Sequence, residues 1–224
     1  MNGSHDTDET GTIDEGGELD PRQAAALVEQ TTIQARRQFA PPPLGAVLGA
    51  GVFFFGYGAV WWSMRDQHVY SGPAGWAIAF LYLLIVASAL VSRRFLARAT
   101  TGVGGRARRQ MAGMGAAVAA AGIGAWVVQG ALRYLGVSFK IVYGVYGPTV
   151  PLIALAAAAA GFAAAQEKWP ELGLAIAIIA IASTSTFFGP LGAWGLTGLG
   201  CGIALLVYAA VLTVWLRRPP SVQR

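Results

Sequence analysis

Charge and metal-binding side chains are what this sequence has least of. Only 12% of its 224 residues are charged, about half of the roughly 25% usual in a soluble domain. The one cysteine, Cys201, excludes an intrachain disulfide and any cysteine-rich metal site. It lies deep in an apolar run, where a free thiol behaves as a small hydrophobe. The two histidines, His5 and His68, are too few and too far apart to read as a metal pair. No nucleophile–base pair and no metal constellation can be assembled, so the sequence predicts no catalytic residue, no metal and no cofactor.

The charge that is present is segregated. Seven of the eleven acids (Asp6, Asp8, Glu9, Asp14, Glu15, Glu18 and Asp20) fall in the first twenty residues, and the remainder of the chain is strongly basic. In a soluble protein such an excess would suggest nucleic acid. Here the basic residues sit between hydrophobic runs, which points to anionic lipid headgroups and away from nucleic acid.

Residues 1–19 are rich in Gly and acids, with almost no large apolar residue. They cannot bury enough surface to offset chain entropy, and a disordered cytoplasmic tail is expected. They lack the positive start and apolar centre of a signal peptide. Residues 20–40 open on Asp20, Pro21 and Gln23, a sound helix start. They predict a weakly amphipathic juxtamembrane helix, resting on headgroups or docking a protein partner at the cytoplasmic face. Pro41, Pro42 and Pro43 end it.

Residues 41–218 carry six apolar runs: Leu44–Ser63, Pro73–Val91, about Met111–Leu132, about Pro148–Ala165, Leu172–Phe188 and Pro190–Leu216. About 20 residues at 1.5 Å of rise each cover a hydrocarbon core of about 30 Å. The expected fold is therefore all-α, a polytopic bundle of six transmembrane helices arranged as three hairpins, with a short C-terminal tail at 219–224.

Orientation follows from the basic residues. With both termini on one side, that side carries Arg22, Arg36, Arg37, Arg93, Arg94, Arg98, Arg106, Arg108, Arg109, Lys168, Arg217, Arg218 and Arg224; the other carries Arg65, Arg133 and Lys140. This bias predicts cytoplasmic termini in a bacterial cytoplasmic membrane. The stretch Ser92–Gln110, with six of those arginines and no acid, reads as a flexible loop that contacts lipid headgroups through Arg93, Arg94, Arg98, Arg106, Arg108 and Arg109. Its glycines Gly102, Gly104 and Gly105 match a phosphate cradle in composition only, since no strand precedes them.

Each expected return helix begins at a Gly-Pro pair, namely Gly72-Pro73, Gly147-Pro148 and Gly189-Pro190. Proline suits a first helical turn and glycine the bend before it. Two small-residue stripes, Ala112–Ala116–Ala120–Gly124 and Ala157–Gly161–Ala165, predict close helix packing inside the bundle, with homo-oligomerisation as the alternative use.

No Asp, Glu, His, Lys or Arg falls in the middle of an expected span, where pumps and proton-coupled transporters usually place one. Gln129 is expected to face another helix. The Ser183–Thr186 run can bond back to helix carbonyls. An outer vestibule for a polar or anionic ligand would use Arg65, Asp66, His68, Gln129, Arg133, Thr184 and Thr186. The simpler reading is that short loops at a headgroup boundary use Arg, Tyr and Trp as anchors.

At Gly56-Tyr57-Gly58-Ala59-Val60-Trp61, Arg65-Asp66-Gln67-His68, Tyr70-Ser71-Gly72-Pro73 and Gly102-Val103-Gly104-Gly105-Arg106 the chain resembles small membrane proteins of high-GC Gram-positive bacteria. The resemblance covers mainly Phe39 to about Pro148. That group has no established activity, so it implies a membrane location and carries over no site residue. The sequence thus predicts a non-enzymatic membrane component, structural or regulatory. The alternative is a small permease, or permease subunit, for a polar or anionic solute.

Overall fold

The computed structural model describes residues 43–99 and 105–217. The segments expected at 1–19, 20–40 and 219–224 lie outside the described residues. Every regular element described is helical. Helix α1 is Pro43–Met64, with proline at its first position, where the missing N–H has no intrahelical partner to lose. Helix α2 is Gly75–Ala99, and α3 is Gly105–Tyr134. Helix α4, Phe139–Ala165, is followed by α5, Trp169–Ser185, and α6, Gly189–Arg217.

Five helical segments are long and apolar enough to cross a bilayer: Pro43–Met64, Gly75–Arg94, Ala112–Tyr134, Phe139–Ala165 and Trp169–Val214. Large apolar side chains cover their outsides, among them Phe55 (68% exposed), Ile123 (65%) and Leu83 (64%). Water-soluble monomers rarely expose such a continuous apolar surface. By helix length and hydropathy this is an integral membrane protein.

The last of these segments is 46 residues long. As a straight rod it would reach about 69 Å, more than twice a hydrocarbon core. It is not straight. A 3-10 turn at Thr186–Phe188 leads into Gly189, whose φ of 71° is left-handed backbone that glycine adopts without strain. Beyond it α6 folds back along α5.

Helix α6 is the centre of the bundle. It packs on α1, α5 and the start of α4; α2 lies outside α1, and α3 lies outside α4. The α1–α6 contact is built from two matched ladders. A Cβ on Gly195 would stand 2.8 Å from Trp61, one on Gly198 2.6 Å from Tyr57, and one on Gly202 2.8 Å from Phe54. Aromatic residues at i, i+3 and i+7 on α1 thus face glycine gaps on α6 in antiparallel order. Close approach of this kind lets van der Waals contact hold helices together in lipid, where no hydrophobic force acts between them.

Three expectations need correction. The stripes Ala112–Ala116–Ala120–Gly124 and Ala157–Gly161–Ala165 do not pack inside the bundle. All seven residues are exposed, and a Cβ on Gly124 or Gly161 would meet nothing within 4 Å. A small-residue face packs only where a neighbour supplies knobs, and the aromatic knobs of α1 point at α6. Second, Gly147-Pro148 does not start a helix: α4 begins at Phe139 and runs through Gly147 with helical φ −54° and ψ −49°. Third, Ser92–Gln110 is mostly helix, because α2 continues to Ala99 and α3 starts at Gly105. Arg93, Arg94 and Arg98 therefore lie on the end of α2, and Arg106, Arg108 and Arg109 on the start of α3.

The α4–α5 turn is equally tight. Lys168 N–H donates to the Ala163 carbonyl at 2.9 Å and Glu167 N–H to that of Ala164 at 3.1 Å. This closes α4 with the two bonds of a Schellman ending, which requires the residue between to be left-handed. That residue is Glu167, at φ 56°.

Candidate functional site

The departure from regular structure with most chemistry around it lies in α4. Val142–Tyr146 is π-helical, and the N–H of Gly147 reaches back five residues to the carbonyl of Val142. The next bond in that pattern would run from residue 148 to the carbonyl of Tyr143. Residue 148 is proline and has no N–H, so that acceptor is left open inside the bundle. The indole N–H of Trp194, on α6, fills it at 3.3 Å. Trp194 is 5% exposed, so an unfilled carbonyl here would carry the full penalty of burial without a partner.

The neighbouring polar groups behave alike. Gln129, on α3, donates its side-chain N–H to the Val142 carbonyl at 3.4 Å. Tyr146 donates to the Ala125 carbonyl at 3.0 Å, and Tyr57 to that of Pro148 at 3.2 Å. Thr149, fully buried, donates to Val145 at 2.7 Å. Between α5 and α6 the buried hydroxyls of Ser185 and Thr197 lie 2.7 Å apart. The result is a belt of hydroxyl, amide and indole donors, most of them directed at backbone carbonyls in and around the π segment of α4, where the Tyr143 carbonyl has lost its own helix bond. Helix irregularity at membrane depth is stable only when protein groups restore the missing partners, as they do here.

The loops at this end close over the belt. A Cβ on Gly144 would stand 2.7 Å from Pro190 and 2.8 Å from the Tyr70 hydroxyl. The α1–α2 loop, the π segment and the start of α6 therefore meet at one glycine. Gln67 ties that loop to itself by donating to the Gly72 carbonyl at 2.8 Å and accepting from Ser71 N–H at 3.0 Å. The Tyr70 hydroxyl is buried without a partner, and burial pushes it up to about 12.

The residues singled out from sequence divide between belt and surface. Gln129 is in the belt. Thr186 is half-buried and donates to Ser183 carbonyl at 2.6 Å, while Thr184 is exposed. Arg65 lies over the Trp62 ring, 3.4 Å from its centroid, and pairs with Asp66 at 3.2 Å. An ion pair this exposed contributes little to stability. His68 is exposed, and exposed Arg133 lies 5.3 Å from the centre of the Phe139 ring. Sequence reasoning missed Trp194, Tyr57, Thr149 and Thr197. The available signal was Pro148 and Pro151 inside an apolar run, which implies open carbonyls and hence donors elsewhere to meet them.

Among the described residues, no three His, Cys, Asp or Glu side chains come together as a metal cage. Protein-family models, curated proteins and solved structures offer no match to this chain.

Proposed function

We propose that this is a non-enzymatic component of a bacterial cytoplasmic membrane, structural or regulatory, crossing the bilayer six times with both termini in the cytoplasm. Six crossings follow from letting the segment Trp169–Val214 cross twice about its turn at Gly189. The basic residues then distribute as the positive-inside rule requires, with Arg93, Arg94, Arg98, Arg106, Arg108 and Arg109 against the anionic headgroups of the inner leaflet. A reporter fused after Arg224 should be active only in its cytoplasmic form; activity outside the cytoplasm would overturn this topology.

The observation that carries the functional reading is the destination of the polar side chains. Gln129, Thr186, Ser185 and Thr197 direct their hydrogen-bonding groups at backbone carbonyls or at one another. A solute pathway would need such groups turned toward a cavity. The test is reconstitution of the purified chain in liposomes, with entrapped anions and polar solutes followed over time. Flux above that of empty liposomes would sink this reading.

The permease alternative draws support from one feature, the π segment Val142–Tyr146 of α4. π segments inside α-helices occur frequently at functional sites. On that reading the exposed residues Arg65, His68, Arg133 and Thr184 would receive the solute, and the same liposome assay decides between the two.

A further inference from the structure

The surface between α1 and α6 holds a groove of about 450 Å³, lined by Phe54, Gly58 and Trp61 of α1 and by Gly195, Leu196 and Leu199 of α6, among others. Its volume falls within the range of about 300–1,000 Å³ typical of sites for small ligands. Its walls are aromatic rings, aliphatic side chains and glycine backbone, and no charged residue lines it. We propose that this groove seats one acyl chain of a phospholipid whose phosphate is held by Arg65. The proposal rests on the reading that α1 and α6 cross the bilayer.

Three observations select this occupant. First, the groove lies within two candidate spans, so the medium at its mouth is hydrocarbon. An acyl chain fits a narrow furrow there, whereas another helix, about 10–12 Å across with its side chains, does not. Second, the groove is held open by the fold. Trp61 cannot turn away into the α1–α6 contact, because its ring already fills the gap at Gly195. The α1 side is a π-helical segment, Val52–Tyr57, with Gly58 next to it, and a Cβ on Gly58 would meet nothing within 4 Å. Third, a cation stands at the correct end. Arg65 follows Trp61 by four residues, capping the C-terminal end of α1 with helical backbone (φ −60°, ψ −32°), which keeps it on the Trp61 side. Its Nε faces Asp66, its plane rests on Trp62, and its side chain is 36% exposed, so its remaining N–H groups can reach a headgroup oxygen. Guanidinium pairs with phosphate through charge-assisted bonds that a neutral headgroup cannot offer.

A chain moving from bilayer to groove gains contact but no hydrophobic free energy. The preference is therefore modest and must be read as a ratio. The full chain is placed in phosphatidylglycerol vesicles with a trace of phosphatidylglycerol carrying a diazirine on one acyl chain. After irradiation, adducts are mapped by peptide mass spectrometry. Labelling of residues 53–61 and 191–199 should exceed that of the exposed α3 residues Ile123, Trp126, Val127 and Val128 by about fivefold. Gly58→Leu fills open space and should bring the ratio to about one. Arg65→Gln should lower groove labelling by about threefold with this probe and leave it unchanged with a diacylglycerol carrying the same chain.

Equal labelling of groove and α3 in the unaltered protein, or a ratio untouched by Gly58→Leu, overturns the proposal. Equal loss of both probes on Arg65→Gln overturns the assignment of the phosphate. If α3 is unlabelled as well, the membrane reading itself fails, which is a separate result.

Discussion

Trp194 on α6 donates its indole N–H to the carbonyl of Tyr143 on α4 at 3.3 Å, the acceptor that Pro148 cannot fill. A proline on one helix is thereby matched to a tryptophan on another. Trp194→Phe keeps the ring against Tyr57, now 5.1 Å between centroids, and removes only the donor. It should destabilise the protein by about 1–3 kcal/mol, read as a lower unfolding midpoint in detergent micelles. Trp126→Phe, on an exposed site, should leave the midpoint unchanged.

The same relationship predicts coupling. Pro148→Ala supplies the missing N–H, so the Tyr143 carbonyl no longer depends on Trp194. In that background Trp194→Phe should be milder by about 1 kcal/mol, within the range of contacting pairs. Additive losses in the double-mutant cycle would show that the two residues act independently.

Glycines on α6 and α3 should respond in opposite directions to the same substitution. A Cβ on Gly198 would lie 2.6 Å from the Tyr57 Cβ and 3.2 Å from the Phe53 carbonyl oxygen, neither of which can swing aside. Gly198→Ala should therefore destabilise by about 1–3 kcal/mol through overpacking. Gly124→Ala meets open space and should gain up to about 1 kcal/mol of helix propensity. Thermal unfolding of both variants under one condition makes the comparison.

Tyr70 provides a test outside the spans. Its phenol, ordinarily near 10, is pushed up to about 12 because it is buried. Above pH 10 the unfolded chain releases this proton while the folded chain keeps it, so stability should fall as pH rises from about 10 to about 12. Tyr70→Phe removes a buried hydroxyl that has no partner. It should raise stability near neutral pH by about 1 kcal/mol and flatten the alkaline decline. A lower midpoint at pH 7 would refute this account of the residue.

Much of the fold can be read from the sequence because bilayer thickness and hydropathy act on whole segments. The apolar runs, the turn at Gly189-Pro190 and the interior place of Gln129 follow from those rules alone. The course of α4 does not. Proline normally marks a helix start, and Pro148 escapes that rule only because Trp194, 46 positions later, satisfies the carbonyl it strands. Small-residue stripes mislead for a related reason. Spacing marks a smooth face on α3 and α4, but packing needs matching knobs. Between α1 and α6 those knobs are Phe54, Tyr57 and Trp61, which repeat the spacing of Gly202, Gly198 and Gly195.

Glu167 is strained in isolation. Its left-handed backbone, φ 56°, costs a side-chain-bearing residue roughly 1–2 kcal/mol. Glu167→Gly should raise the unfolding midpoint by an amount equivalent to about 1 kcal/mol, less the extra freedom glycine gives the unfolded chain. An unchanged or lower midpoint would mean that the glutamate side chain offsets its own strain.

The ladder between α1 and α6 also sets a timetable for assembly. Its two halves are the first and last of the described helices, so during synthesis Phe54, Tyr57 and Trp61 enter the membrane while their glycine partners are still to be made. Hairpins α1–α2 and α3–α4 touch through a few side chains, such as Tyr57 on the Pro148 carbonyl and Tyr82 against Trp126, while the broader surface between them is α6. Helix α6 arrives last and locks them together. A chain that stops before Gly189 would hold its hairpins together by those few contacts alone, with Phe54, Tyr57 and Trp61 facing acyl chains in place of glycine backbone.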